Sequence, residues 1–185
     1  MQYLRYTVPA ARSGQSVRAV LKGELRLSNA LYKSLKWREN AILLNGRPVN
    51  VGDAVSAGDT LSVALTERRA PSALIAACSL SLDVVFEDEY LLVLNKPPHI
   101  PMHSKSVPSM AGALRAYLGG DTAAHFVSRL DRGVSGLCLA AKSGYVHDRF
   151  RAALHTEALY REYRAFAEGV VTPPAGVIDL PVGPA

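Results

Sequence analysis

The 185-residue chain is 49% hydrophobic and 20% charged, the make-up of a soluble globular protein of one ordinary or two small domains. No apolar run reaches the ~18 residues of a membrane span, and the start, MQYLRYTVPAARSG, lacks a signal-peptide core. Cys78 and Cys138 lie in apolar surroundings and make neither a disulfide framework nor a zinc site, so the expected setting is the reduced cytoplasm.

The net charge of +5 is unevenly placed. Residues 1–66 hold nine lysines and arginines against four acids, whereas residues 67–185 hold twelve of each. A basic first third suggests an anionic partner, most simply a nucleic acid; a solvated basic surface is the plainer alternative.

In chain order, residues 3–8 predict a strand. A helix follows from Ser16, with Val17, Val20, Leu21 and Leu25 on one face and Arg18, Lys22 and Arg26 on another. Ser28 is placed to cap a second helix through Lys36, with Leu31 and Leu35 as its apolar face and Lys33 and Lys36 adding positive charge. Asn45-Gly46 marks a turn between two short strands, and Gly58-Asp59 another before a strand over 60–65. Residues 67–80, with a charge run and a proline, are read as a linker.

From residue 81 the pattern changes. Strands are expected over 82–86 and 90–94, separated by the acidic turn Glu87-Asp88-Glu89, and Pro97-Pro98 ends the second. A helix over 109–118 stops at Gly119-Gly120. Phe126-Val127 opens a strand, Gly136–Ala141 forms another, and 145–155 reads as a helix bearing Val146, Phe150 and Leu154. LYREYRAFAEGVV (159–171) alternates as a strand would, with Tyr163, Ala165 and Ala167 on one face. The whole is α+β with a mixed or antiparallel sheet.

The chemistry concentrates in HFVSRLDRGVSGLCLAAKS, residues 125–143. An acid between two arginines stays ionised, because neighbouring positive charge favours the carboxylate. Asp131 is thus suited to act as a nucleophile or electrostatic stabiliser rather than as a general acid. Arg129 and Arg132 are natural phosphate ligands. On local chemistry alone, the favoured reading is that Asp131 caps a turn and pairs with an arginine on the surface. His99 and His103 are four apart with a proline-containing loop between them, so no metal site is expected. There is neither a G-x-x-x-x-G-K-[ST] loop nor a G-x-G-x-x-G fingerprint, which disfavours nucleotide-cofactor enzymes.

Four ordered blocks carry a family resemblance. Residues 16–63, with their helix pair, ILLNGRPV and AGDTLSV, resemble the S4-like RNA-binding domain. SRLDRGVSGLCLAAKS resembles the catalytic motif of the RluA family of RNA pseudouridine synthases, H-R-L-D-x-x-T-S-G followed by an apolar strand and a lysine. VVFEDEYLLVLNKPPHIPMHS is similar to the family's opening strands and N-K-P-x-G-x-x-x-H segment, and LYREYRAFAEGVV to its K-x-Y-x-A-x-V-x-G strand.

The resemblance implies an S4-like domain over 1–66, a linker over 67–80, and the N-terminal portion of a synthase catalytic domain over 81–185. Asp131 would be the catalytic aspartate, Arg129 the arginine that takes the flipped base's place in the stack, and Tyr163 the tyrosine against the uracil. Lys96 and Pro97 would shape the site. Arg18, Lys22, Arg26, Lys33 and Lys36 would bind RNA. The reaction, uridine to pseudouridine in rRNA or tRNA, needs no cofactor and no metal, and the protein is expected to be a monomer.

Three positions depart from the family pattern: Ser128 replaces the histidine, Val134 the threonine, and Gly133 a polar residue. Altered support of the loop is expected from them, not loss of the nucleophile. The sequence ends at GVIDLPVGPA, where the family continues to a G-R-T-H-Q-I-R block whose arginine pairs with the aspartate. An open sheet edge with exposed apolar surface is the expected consequence. The alternative reading is a non-catalytic RNA-binding protein; an enzyme acting on another glycosidic bond is more remote.

Overall fold

Among the described residues, serines start all four α-helices. In each case the serine hydroxyl accepts a hydrogen bond from the N–H three residues on, satisfying a donor that the first turn leaves unpaired. Ser16 caps α1 (Val17–Gly23), Ser28 caps α2 (Asn29–Lys36), Ser109 caps α3 (Met110–Tyr117) and Ser143 caps α4 (Gly144–Ala153). The computed structural model describes residues 2–65, 75–119, 125–154, 156–172 and 174–180.

The strands form two antiparallel sheets of four. The first orders β1 (Tyr3–Thr7), β4 (Thr60–Ala64), β2 (Ile42–Leu44) and β3 (Arg47–Pro48) as β1-β4-β2-β3. Its β2–β3 turn puts Asn45 and Gly46 at φ 51° and 80°, the left-handed pair that a two-residue hairpin requires. Val17, Val20 and Leu21 of α1 pack with Leu31 and Leu35 of α2 and Leu61 and Val63 of β4 in one core.

The α1–α2 connection corrects one expectation. Arg26 does not extend the Arg18–Lys22 stripe, because α1 has ended by Gly23. Leu25 and Leu27 are both buried, and the chain bends between them by placing Arg26 at φ 50°. Lys22 also has structural work. Its ammonium donates to Leu27 O at 3.2 Å and Asn29 Oδ1 at 2.6 Å, and stands 4.9 Å from the Tyr32 ring centroid.

The second sheet orders β5 (Asp83–Glu87), β6 (Leu91–Lys96), β8 (Gly136–Ala141) and β7 (His125–Phe126) as β5-β6-β8-β7. Leu92 and Leu94 of β6 face a core shared with Met110 and Leu114 of α3. Residues 75–80, the later part of the expected linker, lie against α3. Arg115 Nη1 donates to Ile75 O at 2.7 Å, and a Cβ on Gly112 would stand 2.7 Å from Ala76 O. Residues 66–74 are outside the described residues.

The two units touch through Gln2, whose Nε2 donates to Glu89 Oε1 at 2.7 Å, and through Tyr145 of α4, which packs on the apolar clusters of both. No helix among the described residues is long and apolar enough to cross a membrane.

The strand expected over 159–171 does not form. These residues join no ladder, and 160–172 are exposed. Alternation alone does not make a strand, because its N–H and C=O groups need a paired neighbour. Beside them, β7 pairs only with Ala140 and Ala141 of β8. Among the described residues, no strand pairs with Gly136–Cys138 on the side away from β6. Leu137 there is 63% exposed.

The acidic turn is a structural device. Glu87 receives Lys142 Nζ at 2.7 Å and Tyr117 Oη at 2.5 Å, and Asp88 Oδ1 accepts from the Tyr90 and Leu91 amides. Lys142 and Tyr117 hold Glu87 below its ordinary 4.5, and the two amides hold Asp88 below 3.8. Folded values below unfolded ones give stability that is fully present above the ordinary values and lost as pH falls through the lower, folded ones. The thermal midpoint should therefore be flat near neutrality and fall below pH 4.5. Glu87→Gln should lower the neutral-pH midpoint and flatten that fall; scanning calorimetry from pH 7 to 3 that gave parallel curves for the two proteins would contradict this assignment.

Candidate active site

The site is built where β6 ends and β8 begins. Side chains alternate along β6, so Leu92, Leu94 and Lys96 share its core face. All three are 0% exposed. Lys96 is therefore a charge at a core position, opposite Gly136 at the last rung of the β6–β8 ladder. Among the described residues its ammonium finds no carboxylate. It donates instead to Val134 O at 2.7 Å, Pro97 O at 2.9 Å and Arg132 O at 3.2 Å.

Those three bonds use all three ammonium protons. They tie the loop leaving β6 to the loop entering β8. Burial disfavours the charged form and lowers the Lys96 pKa, while nearby Cys138 opposes the shift. Burial in turn pushes the Cys138 thiol up to about 11, so this cysteine is a core group rather than a nucleophile.

A second staple joins the same two loops. Arg132 Nε donates to His99 O at 3.0 Å. His99 sits at φ 66°, a left-handed conformation unfavourable for a residue with a Cβ, and the bond to its carbonyl helps hold it there. The role of Arg132, open in the sequence, is thus to fix a loop. It does not neutralise its neighbouring acid.

Asp131 opens the turn that these staples hold, with Val134 N–H donating to Asp131 O at 3.1 Å. Its side chain is exposed and forms no ion pair among the described residues. The surface ion pair considered from sequence is not what this loop forms. The departures at 133 and 134 fit this frame. Val134 acts through its backbone N–H and C=O, and a Cβ on Gly133 would meet nothing within 4 Å.

Arg129 is also exposed, and lies near enough to His103 for its charge to add to burial in lowering that imidazole's pKa. His103 meets Phe126 edge-on at 5.9 Å between centroids. Tyr163, 60% exposed, lines a cleft of about 650 Å³ beside the open stretch of β8. Leu130 and Val134 line that cleft from the loop, Leu137 and Leu139 from the strand, and Arg161 and Arg164 accompany Tyr163 opposite. The structure thus brings Tyr163 to the cleft bordering the Asp131 loop. Asp131 and Arg129 stand on the loop itself, outside the cleft lining.

The basic residues expected to bind RNA lie on the first unit. Arg18 and Lys22 converge on the Tyr32 ring, and Lys33 and Lys36 are exposed on α2. The sequence reading passed over Trp37. It is 82% exposed, with Lys36 Nζ 4.6 Å from its ring centroid. The available signal was a lone tryptophan inside the basic run KSLKWRE.

The family model for RNA pseudouridylate synthase matches residues 90–183, from the start of β6 through the Asp131 loop and beyond. The uncharacterized RNA pseudouridine synthase YjbO of Bacillus subtilis is 32% identical over 87% of this chain and 59% of its own length. The uncharacterized RNA pseudouridine synthase YhcT of the same organism is 30% identical over 97% of this chain and 61% of its own length. Ribosomal large subunit pseudouridine synthase D of Neisseria meningitidis is 28% identical over 96% of this chain and 48% of its own length. The chain therefore spans between 48% and 61% of these relatives.

Lys96→Met keeps the buried stem and removes the ammonium, leaving three carbonyls without their donor. The account expects the amides of 131–135 to exchange with solvent at least ~10-fold faster, since each lost bond contributes about 1 kcal/mol. The ladder amides of β6 and β8 should keep their protection. Hydrogen exchange read by mass spectrometry that showed no change confined to this loop would contradict the clamp.

Proposed function

The chain belongs to the RNA pseudouridylate synthase family, and from that membership we propose that it carries the reaction centre of an RNA pseudouridine synthase together with an RNA-gripping module. The observation that carries the reading is the aspartate at position 131. It stands on an exposed turn with no ion partner among the described residues, held from beneath by Lys96, inside the region matched to the family.

The isomerisation breaks the N1–C1′ bond of uridine, turns the uracil, and joins C5 to C1′. The C5 hydrogen leaves and N1 gains a proton, so atoms and electrons balance with no water or oxidant consumed. A carboxylate at the substrate suits this chemistry as nucleophile or charge stabiliser. In this reading Asp131 acts at the ribose or base. The target base must leave its stack. Arg129, an exposed planar cation on the same loop, fills the vacated space, and Tyr163 offers an aromatic face beside the cleft.

Residues 1–66 act in this proposal as an S4-like module. Arg18, Lys22, Arg26, Lys33 and Lys36 supply charge to the RNA backbone and Trp37 a stacking surface. Lys22 contributes with its ammonium partly committed to the α1–α2 turn. Residues 81–185 correspond to the front of a synthase catalytic domain. The substrate class is structured rRNA or tRNA, and the setting is the cytoplasm.

Asp131→Asn should abolish pseudouridine formation, with hairpin RNA affinity unchanged within about twofold, because the carboxylate is exposed and forms no ion pair among the described residues. Digestion of the treated RNA and chromatography of its nucleosides is the measurement; equal pseudouridine from wild type and variant would remove Asp131 from the mechanism. Replacing Lys33 and Lys36 together by alanine should weaken binding and shallow the plot of log affinity against log salt by about two units. An unchanged slope would assign these lysines to solvent alone.

A further inference from the structure

We propose that Trp37 is a platform for one unpaired RNA base, so that the RNA this protein takes carries an unpaired nucleotide beside the helix its lysines grip. The inference rests on the RNA-binding reading above and gives that reading a substrate class.

Trp37 follows directly on α2, in a corner bracketed by buried Leu35 and buried Ala41. The main chain of that corner is tied down. Arg38 N–H donates to Leu35 O at 3.1 Å, Ala41 N–H to Arg38 O at 3.2 Å, and Ala64 N–H of β4 to Ala41 O at 2.8 Å. Asn40 takes a left-handed φ of 55°, and its carbonyl accepts from Tyr3 Oη at 2.8 Å. The backbone beneath the indole is therefore fixed, yet the ring is 82% exposed. A large ring held out in water by a rigid corner adds little to the core. It is ordered before any partner arrives, which lowers the cost of binding one.

The surroundings of the ring identify the partner. Lys36 Nζ lies over one face, 4.6 Å from the centroid, and leaves the other face for a ligand. Lys33 is exposed one turn back, and Glu39 is an exposed acid two residues on. The apolar residues nearby, Leu31, Tyr32, Leu35, Ala41 and Ile42, are buried. A protein partner would thus meet a single ring among charges, not the broad apolar patch that such interfaces use. A nucleotide matches both halves, with a phosphate for the ammonium and a flat base for the indole. The ring then sets the class of RNA. A paired A-form helix presents phosphates and 2′-hydroxyls, and its base faces are covered by their neighbours. An indole finds a base face only where a base is unpaired. That base is separate from the target uridine, which the proposed function brings to Asp131 on the other unit.

The test compares two RNA duplexes of about 20 base pairs, each closed at both ends by a non-nucleotide linker so that no terminal base is open. One carries a single unpaired adenosine in mid-stem. Trp37 is the only tryptophan of the chain, so quenching of tryptophan fluorescence reports on this ring alone. The bulged duplex should quench it and bind at least about fivefold tighter than the uninterrupted one, the smaller end of what one base–aromatic stack contributes. The exposed ring lets Trp37→Ala fold as wild type does. That variant should bind both duplexes equally and keep the wild-type salt slope, since the indole carries no charge. Trp37→Tyr should keep part of the preference. Equal, salt-dependent binding of both duplexes by wild type, or a preference that survives Trp37→Ala, overturns the platform while the RNA-binding reading stands. Sedimentation that showed a wild-type dimer split by Trp37→Ala would assign the ring to a second copy of the chain and overturn it likewise. If wild type binds neither duplex, the RNA-binding reading itself falls, and the platform with it.

Discussion

The Lys96 ammonium, enclosed by three backbone carbonyls, decides how the second unit of this protein is arranged. A charge that has lost its water is costly unless hydrogen bonds replace the hydration shell. Here Pro97, Arg132 and Val134 supply the replacement. The arrangement works in only one geometry. The loop after β6 and the loop before β8 must both turn their carbonyls toward the end of the sheet. Once they do, the Asp131–Val134 turn is fixed from beneath while the Asp131 side chain stays outside. The same constraint explains Arg132. With the ammonium holding its carbonyl, its guanidinium reaches back to His99 and locks the second loop. The acid between two arginines is thus left available because neither arginine closes on it.

The second constraint is the meeting of the two units. Tyr145 belongs to the apolar clusters of both, and α4, which carries it, also carries Asp148 and Arg151 into the cleft opposite α2. The first unit brings Trp37 and the lysines of α2, and the second brings the Asp131 loop. In the proposed function, one strand of RNA lies across both surfaces. Phosphate contacts of this kind position a substrate without reading its sequence. In that proposal the choice of uridine depends on which base can be presented to Asp131 and Tyr163.

Much of this was legible before the structure. The four cap serines, the Asn45-Gly46 hairpin and the Gly136–Ala141 strand follow from local chemistry, because each is decided by residues within a turn or two of itself. Asp131 stood out because its neighbours have charge and its surroundings do not. Three features were hidden for physical reasons. Residues 159–171 alternate correctly yet have no bonded neighbour, and pairing is a tertiary fact. Arg26 kept helical spacing, but two buried leucines on either side of it forced a bend. Lys96 falls on the Leu92–Leu94 face by simple alternation, yet its three partners lie up to 38 residues away. A lone sequence does not reveal which carbonyls will surround a buried ammonium.

In the proposed function, the buried Lys96 ammonium matters to the reaction because it holds the exposed Asp131 in place. Since forming the C5–C1′ bond expels the C5 hydrogen, release of tritium from RNA labelled at uridine C5 follows the reaction directly. Under single-turnover conditions with saturating RNA, the account predicts that Lys96→Met slows release by at least ~10-fold, the effect of about 1.4 kcal/mol on the barrier, while RNA affinity stays as in wild type. Release at the wild-type rate from a folded Lys96→Met protein would contradict it.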